Sequence, residues 1–411
     1  MKYAIVIPDG ASDEPQDSLG GRTPLQAARL PEMDRIAREG VLGLSRNVPD
    51  RFTPASDVAT LSLFGYDPVV YYTGRSPLEA VAMGIALGPD DWAVRCNLMT
   101  ILDGRMTDFT AGHVTDEEAA ELIRVLGLLF GTEHPELEFH AGVSYRNALI
   151  YRGKPGEIPF DETTHTTPPH DVPDLPAADH LPRGRGSELL RELMAAGSDA
   201  IRHHPINSLR NARGRRPANA VWLWGQGKAP SVPKFADLHG LNGAIISAVD
   251  LVRGTGMLAG WERIDAPGAT GYLDTNYASK GRTAIDALNT HDLVCVHVEA
   301  PDEASHEGRV EAKVEALERI DREIVGPLRA ALESHGDWRL LISPDHATLL
   351  KTRSHDRAPV PWAIAGRGFG ATGSDRTYDE CSAAASGGPK FEEGWKLMKY
   401  FLAQEDVEAI G

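Results

Sequence analysis

Ile342-Ser343-Pro344-Asp345-His346-Ala347 follows directly on the apolar pair Leu340-Leu341, and Ser354-His355-Asp356 stands a few residues behind it. The run Leu340-Leu341-Ile342 reads as a buried strand. An Asp-His pair just past such a strand sits where open α/β sheets present their chemistry, at the carboxyl ends of strands. Aspartate and histidine are metal-ligand types, yet a lone Asp-His dipeptide is more often a plain turn. Its weight depends on whether other strands end the same way.

Others do. Tyr3-Ala4-Ile5-Val6-Ile7 ends in Pro8-Asp9-Gly10, a first strand delivering a carboxylate, although Asp-Gly is also a common turn pair. Asp292-Leu293-Val294-Cys295-Val296-His297-Val298-Glu299 is a second strand. It leads into Ala300-Pro301-Asp302-Glu303-Ala304-Ser305-His306, where Asp302 and His306 share one face if the segment is helical. Residues 311–332 then read as one long amphipathic helix. Asp9, Asp302, His306, Asp345, His346 and His355 thus gather at strand ends, which favours a two-metal cluster over unrelated turns. Such mixed ligands suit manganese, zinc, cobalt or magnesium without choosing among them.

The stretch Thr53-Pro54-Ala55-Ser56-Asp57-Val58 through Phe64-Gly65 reads as an N-capped helix stopped by Gly65, with Ser56 at its start. As a cap, Ser56 is structural. The same position puts a hydroxyl beside free backbone N–H groups and the positive end of a helix dipole, where a phosphoryl group is welcome. Metal coordination is one way to activate such a hydroxyl.

Residues 70–216 differ in texture. Strands near 94–101 and 145–151 and an N-capped helix beginning at Thr115 suggest a small α+β unit. The Pro- and His-rich run Thr163-Thr164-His165-Thr166-Thr167-Pro168-Pro169-His170-Asp171-Val172-Pro173 reads as a long surface loop or substrate lid rather than a metal site. Residues 211–216 look like a linker, after which Ala220-Val221-Trp222-Leu223-Trp224 returns the chain to the first domain. The expected architecture is α/β: a mostly parallel sheet with helices on both faces, built from residues 1–69 and 217–411 and interrupted by a smaller α+β domain, 70–216.

At 411 residues, two domains are the prior. Hydrophobic content of 42% and charged content of 25% are ordinary for a soluble globular protein. The N-terminal apolar run is too short for a signal peptide, and no stretch reaches the roughly 18 apolar residues of a spanning helix, so a cytoplasmic protein without a membrane role is expected. Three widely separated cysteines form no CxxC and suit a reducing compartment. A net charge of −17 disfavours nucleic acid, and an anionic substrate would have to be held by local arginines and metal ions. Neither GxxxxGK[ST] nor a convincing GxGxxG is present, so no nucleotide is expected. Self-association into a homo-oligomer is compatible with the sequence.

Ile7-Pro8-Asp9-Gly10, Ala55-Ser56-Asp57-Val58-Ala59 through Tyr66-Asp67-Pro68, Pro301-Asp302 to His306-Glu307-Gly308, Ser343-Pro344-Asp345-His346 and His355 to Pro361 together resemble the 2,3-bisphosphoglycerate-independent phosphoglycerate mutases. The resemblance is to their archaeal-type branch, within the alkaline phosphatase superfamily, and it covers most of the chain. It implies an alkaline-phosphatase-like metal domain with an inserted substrate domain, two divalent metal ions, and no use of 2,3-bisphosphoglycerate. It also implies that Ser56 is phosphorylated, that Asp302, His306 and His355 hold one ion, and that Asp9, Ser56, Asp345 and His346 hold the other. The implied substrate is small, anionic and phosphorylated: the phosphoryl of 3-phosphoglycerate moves to Ser56, the glycerate reorients, and the group returns to the 2-hydroxyl. The inserted domain can then serve as a lid, with Arg75, Arg95 and Arg146 for the carboxylate and Lys228 near the phosphate on the metal domain. Asp57 and Lys280 are further candidates. Tyr71-Tyr72-Thr73-Gly74-Arg75-Ser76-Pro77-Leu78-Glu79-Ala80 with Arg95-Cys96-Asn97-Leu98 also resembles a bacterial branch, some of whose members are proposed homoserine kinases. Transfer to another small hydroxyl acceptor, or phosphomonoester hydrolysis, is the alternative.

Overall fold

Residues 1–370 and 376–403 are described by a computed structural model. The chain divides into two compact units, Met1–Tyr72 with Val232–Gly411, and Thr73–Ser231. In chain order the strands are β1 (Lys2–Pro8), β2 (Val41–Ser45), β3 (Trp92–Leu102), β4 (Arg105–Asp108), β5 (Leu137–Val143), β6 (Arg146–Tyr151), β7 (Ala220–Lys228), β8 (Gly243–Ile246), β9 (Glu262–Arg263), β10 (Leu293–Val298), β11 (Trp338–Ile342), β12 (Ala347–Leu349), β13 (Ser354–Asp356), β14 (Val360–Gly366) and β15 (Lys390–Phe391).

The first unit carries an eight-stranded sheet in the order β15-β2-β14-β11-β1-β10-β8-β9. β1 lies between β10 and β11 and runs parallel to both, with Ile7 beside His297 and Val6 beside Ile342. β14 alone runs against the others: it pairs antiparallel with both β11 and β2, so β2 points the same way as β1. Continuous apolar runs such as those of β1 and β10 are what a sheet covered on both faces requires. Successive side chains go to opposite cores: Val6, Val296 and Leu340 into one, Ile7, Cys295 and Leu341 into the other. The parallel arrangement brings the carboxyl ends of β10, β1 and β11 side by side, so whatever follows each strand meets at one place.

The second unit is an antiparallel sheet, β4-β3-β6-β5, with β7 on the free edge of β3. Its core joins Cys96, Leu98, Val221 and Leu223 to Leu122 and Leu126 of the helix Asp116–Phe130 and to Leu190 and Leu193 of the helix Ser187–Arg202. Here the structure departs from the sequence reading. β7 pairs with β3 rather than joining the parallel sheet, so the junction falls after Ser231 instead of near residue 216, and Lys228 belongs to this unit.

The helix expected over residues 311–332 is also interrupted: Val310–Ile320 and Gly326–Ser334 are separated by a π turn, Asp321–Val325. Pro327 has no N–H to offer the carbonyl four residues back and its ring crowds that carbonyl, which a widened turn relieves. The first of these helices carries a buried ammonium. Lys313 Nζ donates to Asp13 Oδ2 at 2.8 Å and to the Thr348 carbonyl at 2.8 Å, tying the loop after β1 to the β12–β13 hairpin. Lys313→Met leaves the Asp13 carboxylate buried without its cation and should cost about 3–5 kcal/mol of unfolding free energy. Urea unfolding checks this, and the same change in an Asp13→Asn background should cost less.

Candidate active site

Asp9 is the residue directly after β1, and Gly10 behind it has φ of +59°. A Cβ on Gly10 would lie 2.5 Å from Thr348 Oγ1 and 2.6 Å from Asp302 Oδ1, so only glycine lets the chain turn beneath those side chains. Asp302 and His306 lie one turn apart on the helix Ala300–His306, with Asp302 Oδ2 3.0 Å from His306 Nε2. His355 comes from β13, its Nε2 3.0 Å from His306 Nε2 and 3.5 Å from Asp302 Oδ1. Asp345 and His346 follow β11. His346 Nε2 lies 3.3 Å from Asp345 Oδ2 and 3.7 Å from Asp9 Oδ1.

Ser56 Oγ completes this group, 3.1 Å from His346 Nε2. It is not the cap that the sequence suggested. Ala55 holds the N-cap position and no side chain caps the helix Ser56–Leu63, so the Ser56 hydroxyl, on the first helical residue, is free to face the histidine. Asp57 is engaged elsewhere, accepting from Val58 N at 2.8 Å and from the Tyr72 hydroxyl at 2.6 Å.

Two observations fit divalent cations here. The Nδ1 atoms of His306 and His355 face backbone carbonyls, Arg353 O at 2.9 Å and Pro54 O at 3.2 Å, which only accept. Each ring therefore carries its proton on Nδ1, and the two Nε2 lone pairs confront one another at 3.0 Å unless a cation or a further proton lies between them. In addition, the buried atoms Asp9 Oδ1 and Asp345 Oδ2 have no hydrogen-bond partner. Asp302, His346 and His355 form one group whose ligand atoms lie within 4.8 Å of one another; Asp9, Asp345 and His346 form a second, and Asp9, His297 and Glu299 a third.

Electrostatics points the same way. Burial, with Asp345, Glu299 and Asp302 nearby, pushes Asp9 well above the usual carboxylate range. Glu299 is pushed up to about 8 by burial and then by Asp302. Burial alone would raise Asp302 too, but hydrogen bonds from His306 and His355 outweigh it and hold this carboxyl well below its ordinary value. The bond to Asp302 in turn raises His306 to about 9, whereas burial lowers His346.

His297 and Glu299, at the end of β10, belong to this site although the strand pattern singles out neither. His297 Nε2 lies 2.7 Å from Asp9 Oδ2, and its Nδ1 meets Ser247 Oγ at 3.1 Å. The available signal was a lone imidazole in the otherwise apolar β10. Lys280 is fully buried and donates to the His297 carbonyl at 3.0 Å; burial pushes it down to about 8. Asn47, which no pattern marked, donates to the Asp345 carbonyl at 2.8 Å and holds that turn in place.

The second unit holds all three candidate arginines and pairs two of them, Arg75 and Arg95, with Glu79. Arg95 Nε bonds Glu79 Oε2 at 2.8 Å and Arg75 Nε lies 3.3 Å from Oε1. The Arg95 guanidinium sits 4.1 Å over Trp224, and that of Arg146 5.3 Å over Tyr145. Burial lowers Arg95 to about 10, and the like charges of Arg75 and Arg146 add to the effect. His170, from the Pro-rich loop, places its ring 5.5 Å from Trp224. Lys228 pairs with Asp90 at 3.2 Å in this unit, not on the metal domain.

A family model described as 2,3-bisphosphoglycerate-independent phosphoglycerate mutase matches residues 37–207. A protein of that name from Methanothrix thermoacetophila is 49% identical over 404 residues, spanning 98% of this chain and 100% of its own. The chain belongs to the 2,3-bisphosphoglycerate-independent phosphoglycerate mutases. A probable member from Geobacter sulfurreducens is 46% identical over 407 residues, with 98% of this chain and 100% of that one covered. Among solved structures, the cofactor-independent phosphoglycerate mutase from Thermoplasma acidophilum aligns with a TM-score of 0.67 at 26% identity, over 98% of this chain and 99% of the other. The PH0037 protein from Pyrococcus horikoshii aligns with a TM-score of 0.80 at 29% identity, over 100% and 99%. This family member is an isomerase of the archaeal-type branch. Among its described residues no helix is long and apolar enough to cross a membrane.

His306, pushed up to about 9, holds a proton at neutral pH that a bound cation would displace. Uptake of divalent ions by the metal-free protein should therefore release protons, and apparent affinity should climb from about pH 6 and level off near pH 9. Calorimetric titration in buffers of different ionisation enthalpy reads the proton count; affinity independent of pH across that window would contradict these assignments.

Proposed function

We propose that the protein interconverts 3-phosphoglycerate and 2-phosphoglycerate through a phosphoserine at Ser56, in a site holding two divalent ions. One observation carries the reading: a helix-start hydroxyl, unused as a cap, lies 3.1 Å from His346 Nε2 among buried carboxylate oxygens that lack partners. On this reading Asp302, His306 and His355 hold one ion, and Asp9, Asp345, His346 and Ser56 the other. Bound there, divalent ions would neutralise charge on the phosphoryl oxygens and ease loss of the serine proton.

The chain's own residues do the rest. Ser56 Oγ exchanges its proton for the phosphoryl group, and the 3-oxygen of the substrate leaves as a hydroxyl. The second half reverses this exchange from the 2-hydroxyl, so protons and phosphoryl balance over the cycle. The N-terminal N–H groups of the helix Ser56–Leu63 favour the negative charge on phosphoserine. Asn47 and the Gly10 N–H, which donates to Asp345 Oδ1 at 3.3 Å, hold Asp345 in place. We assign the substrate carboxylate to Arg75, Arg95 and Arg146: Arg75 and Arg95 share the single carboxylate of Glu79, Arg95 stacks on Trp224, and Arg146 adds its like charge beside Arg95. We place the enzyme in the cytoplasm.

Protein loaded with Mn, Mg, Co or Zn should convert 3-phosphoglycerate to 2-phosphoglycerate in an enolase-coupled assay; no product with any of the four would sink the mutase reading, and release of inorganic phosphate or transfer to homoserine would replace it. Ser56→Ala should retain bound metal, form no acid-stable phosphoprotein and lose about 10⁴-fold or more in kcat. Arg95→Gln should raise KM by about 10- to 100-fold, the worth of one charge-assisted hydrogen bond, while phosphoserine still forms at saturating substrate.

A further inference from the structure

Between the two proposed ion sites stands a hydroxyl that neither ligand set includes. Thr348 lies on β12, opposite His355 in the hairpin with β13, and is fully buried. Its backbone is fixed at both polar atoms: Thr348 N donates to Ser12 O at 3.1 Å, and Thr348 O accepts from Lys313 Nζ at 2.8 Å. The side chain is therefore aimed by buried elements rather than by a surface turn. Its Oγ1 lies 2.5 Å from Asp302 Oδ1 and 3.2 Å from His346 Nδ1.

These two contacts determine the proton positions. An ionised carboxylate only accepts, so the Thr348 hydroxyl donates to Asp302. Its proton is then committed, and the bond to the imidazole must run the other way, from His346 Nδ1–H to Thr348 Oγ1. That places the lone pair of His346 on Nε2, the atom facing Ser56, Asp9 and Asp345. The carboxylate oxygen held by Thr348 is also the one nearest His355 Nε2, so the same hydroxyl sets how Asp302 is presented.

We propose that Thr348 is a positioning residue common to both ion sites, its one hydroxyl setting the tautomer of His346 in one and the orientation of Asp302 in the other. The inference rests on the two-ion reading given above. A partner of this kind is typically worth about 10- to 100-fold in metal affinity. Because the hydroxyl touches a ligand of each set, its loss weakens both ions together.

The test titrates metal-free wild type, Thr348→Ser and Thr348→Ala with Co²⁺, following heat and the visible absorption of the bound ion. Wild type and Thr348→Ser should take up two ions with similar affinity and band shape. Thr348→Ala should lose about 10- to 100-fold at both sites, with altered bands. Thr348→Val, which keeps the volume, replaces Ala in the comparison if that variant does not fold. Ala or Val matching wild type overturns the proposal and leaves the two-ion reading standing. So does a loss confined to one site, or one that Ser shares in full, since the methyl rather than the hydroxyl would then matter. A wild-type protein that binds fewer than two Co²⁺ overturns both.

Discussion

Carboxylates from Asp9, Glu299, Asp302 and Asp345 meet inside the first unit, and burying like charges together is the constraint that its structure answers. No arrangement of strands alone stabilises such a group. The pairing of β1 with β10 and β11 creates the problem, because it delivers a carboxylate from each strand end to one point. Histidines answer it in part. His306 and His355 bond Asp302 and His297 meets Asp9, while the buried cation of Lys280 sits against the carbonyl of His297. Three oxygens, on Asp9, Glu299 and Asp345, still lack partners, and that remainder suits the site to cations rather than to a closed hydrogen-bond network.

The second unit answers an opposite problem. Two arginines on one glutamate, with the like charge of Arg146 acting on Arg95, leave positive charge in excess, and Arg95, buried and stacked on Trp224, cannot shed it to solvent. Self-repulsion among fixed cations is relieved by an anion, which is how such clusters acquire selectivity for carboxylate or phosphate. An acidic protein with a net charge of −17 repels a doubly charged acid at long range, so attraction must be local. Each unit thus holds a cluster with charge of one sign in surplus, carboxylates in the first and guanidiniums in the second.

Strand-end carboxylates were legible in the sequence because a buried parallel strand has one signature, an unbroken apolar run, and the residue after it stands out. Asp9, Asp302, Asp345 and His346 were visible on that ground, and Ser56 on the grounds of its helix start. Residues that act through others were not. Thr348 and Ser247 are ordinary strand or loop hydroxyls until the fold shows what they face, and His297 lay inside the run that made β10 recognisable. The unit to which β7 belongs is hidden in the sequence for a related reason: Ala220-Val221-Trp222-Leu223-Trp224 is as apolar as a central parallel strand, and only its antiparallel register with β3 reveals its unit. The π turn at Asp321–Val325 could have been anticipated from Gly326-Pro327, but amphipathic periodicity across it masked the break.

The tying of imidazole Nδ1 atoms bears on what the site can bind. A histidine free to rotate or tautomerise offers a ligand atom only part of the time, and the fraction lost is subtracted from affinity. Here His306 and His355 are fixed by backbone carbonyls and His346 by a hydroxyl, so three Nε2 atoms converge before any ion arrives. Those carbonyls belong to Arg353 and Pro54, one beside the β12–β13 hairpin and one just before the Ser56 helix. The loops that orient the ligands are therefore continuous with the segment that presents the serine. A shift that moved Pro54 and Ser56 relative to His346 would also disturb His355, which ties the geometry of the proposed ligands to the position of the proposed nucleophile.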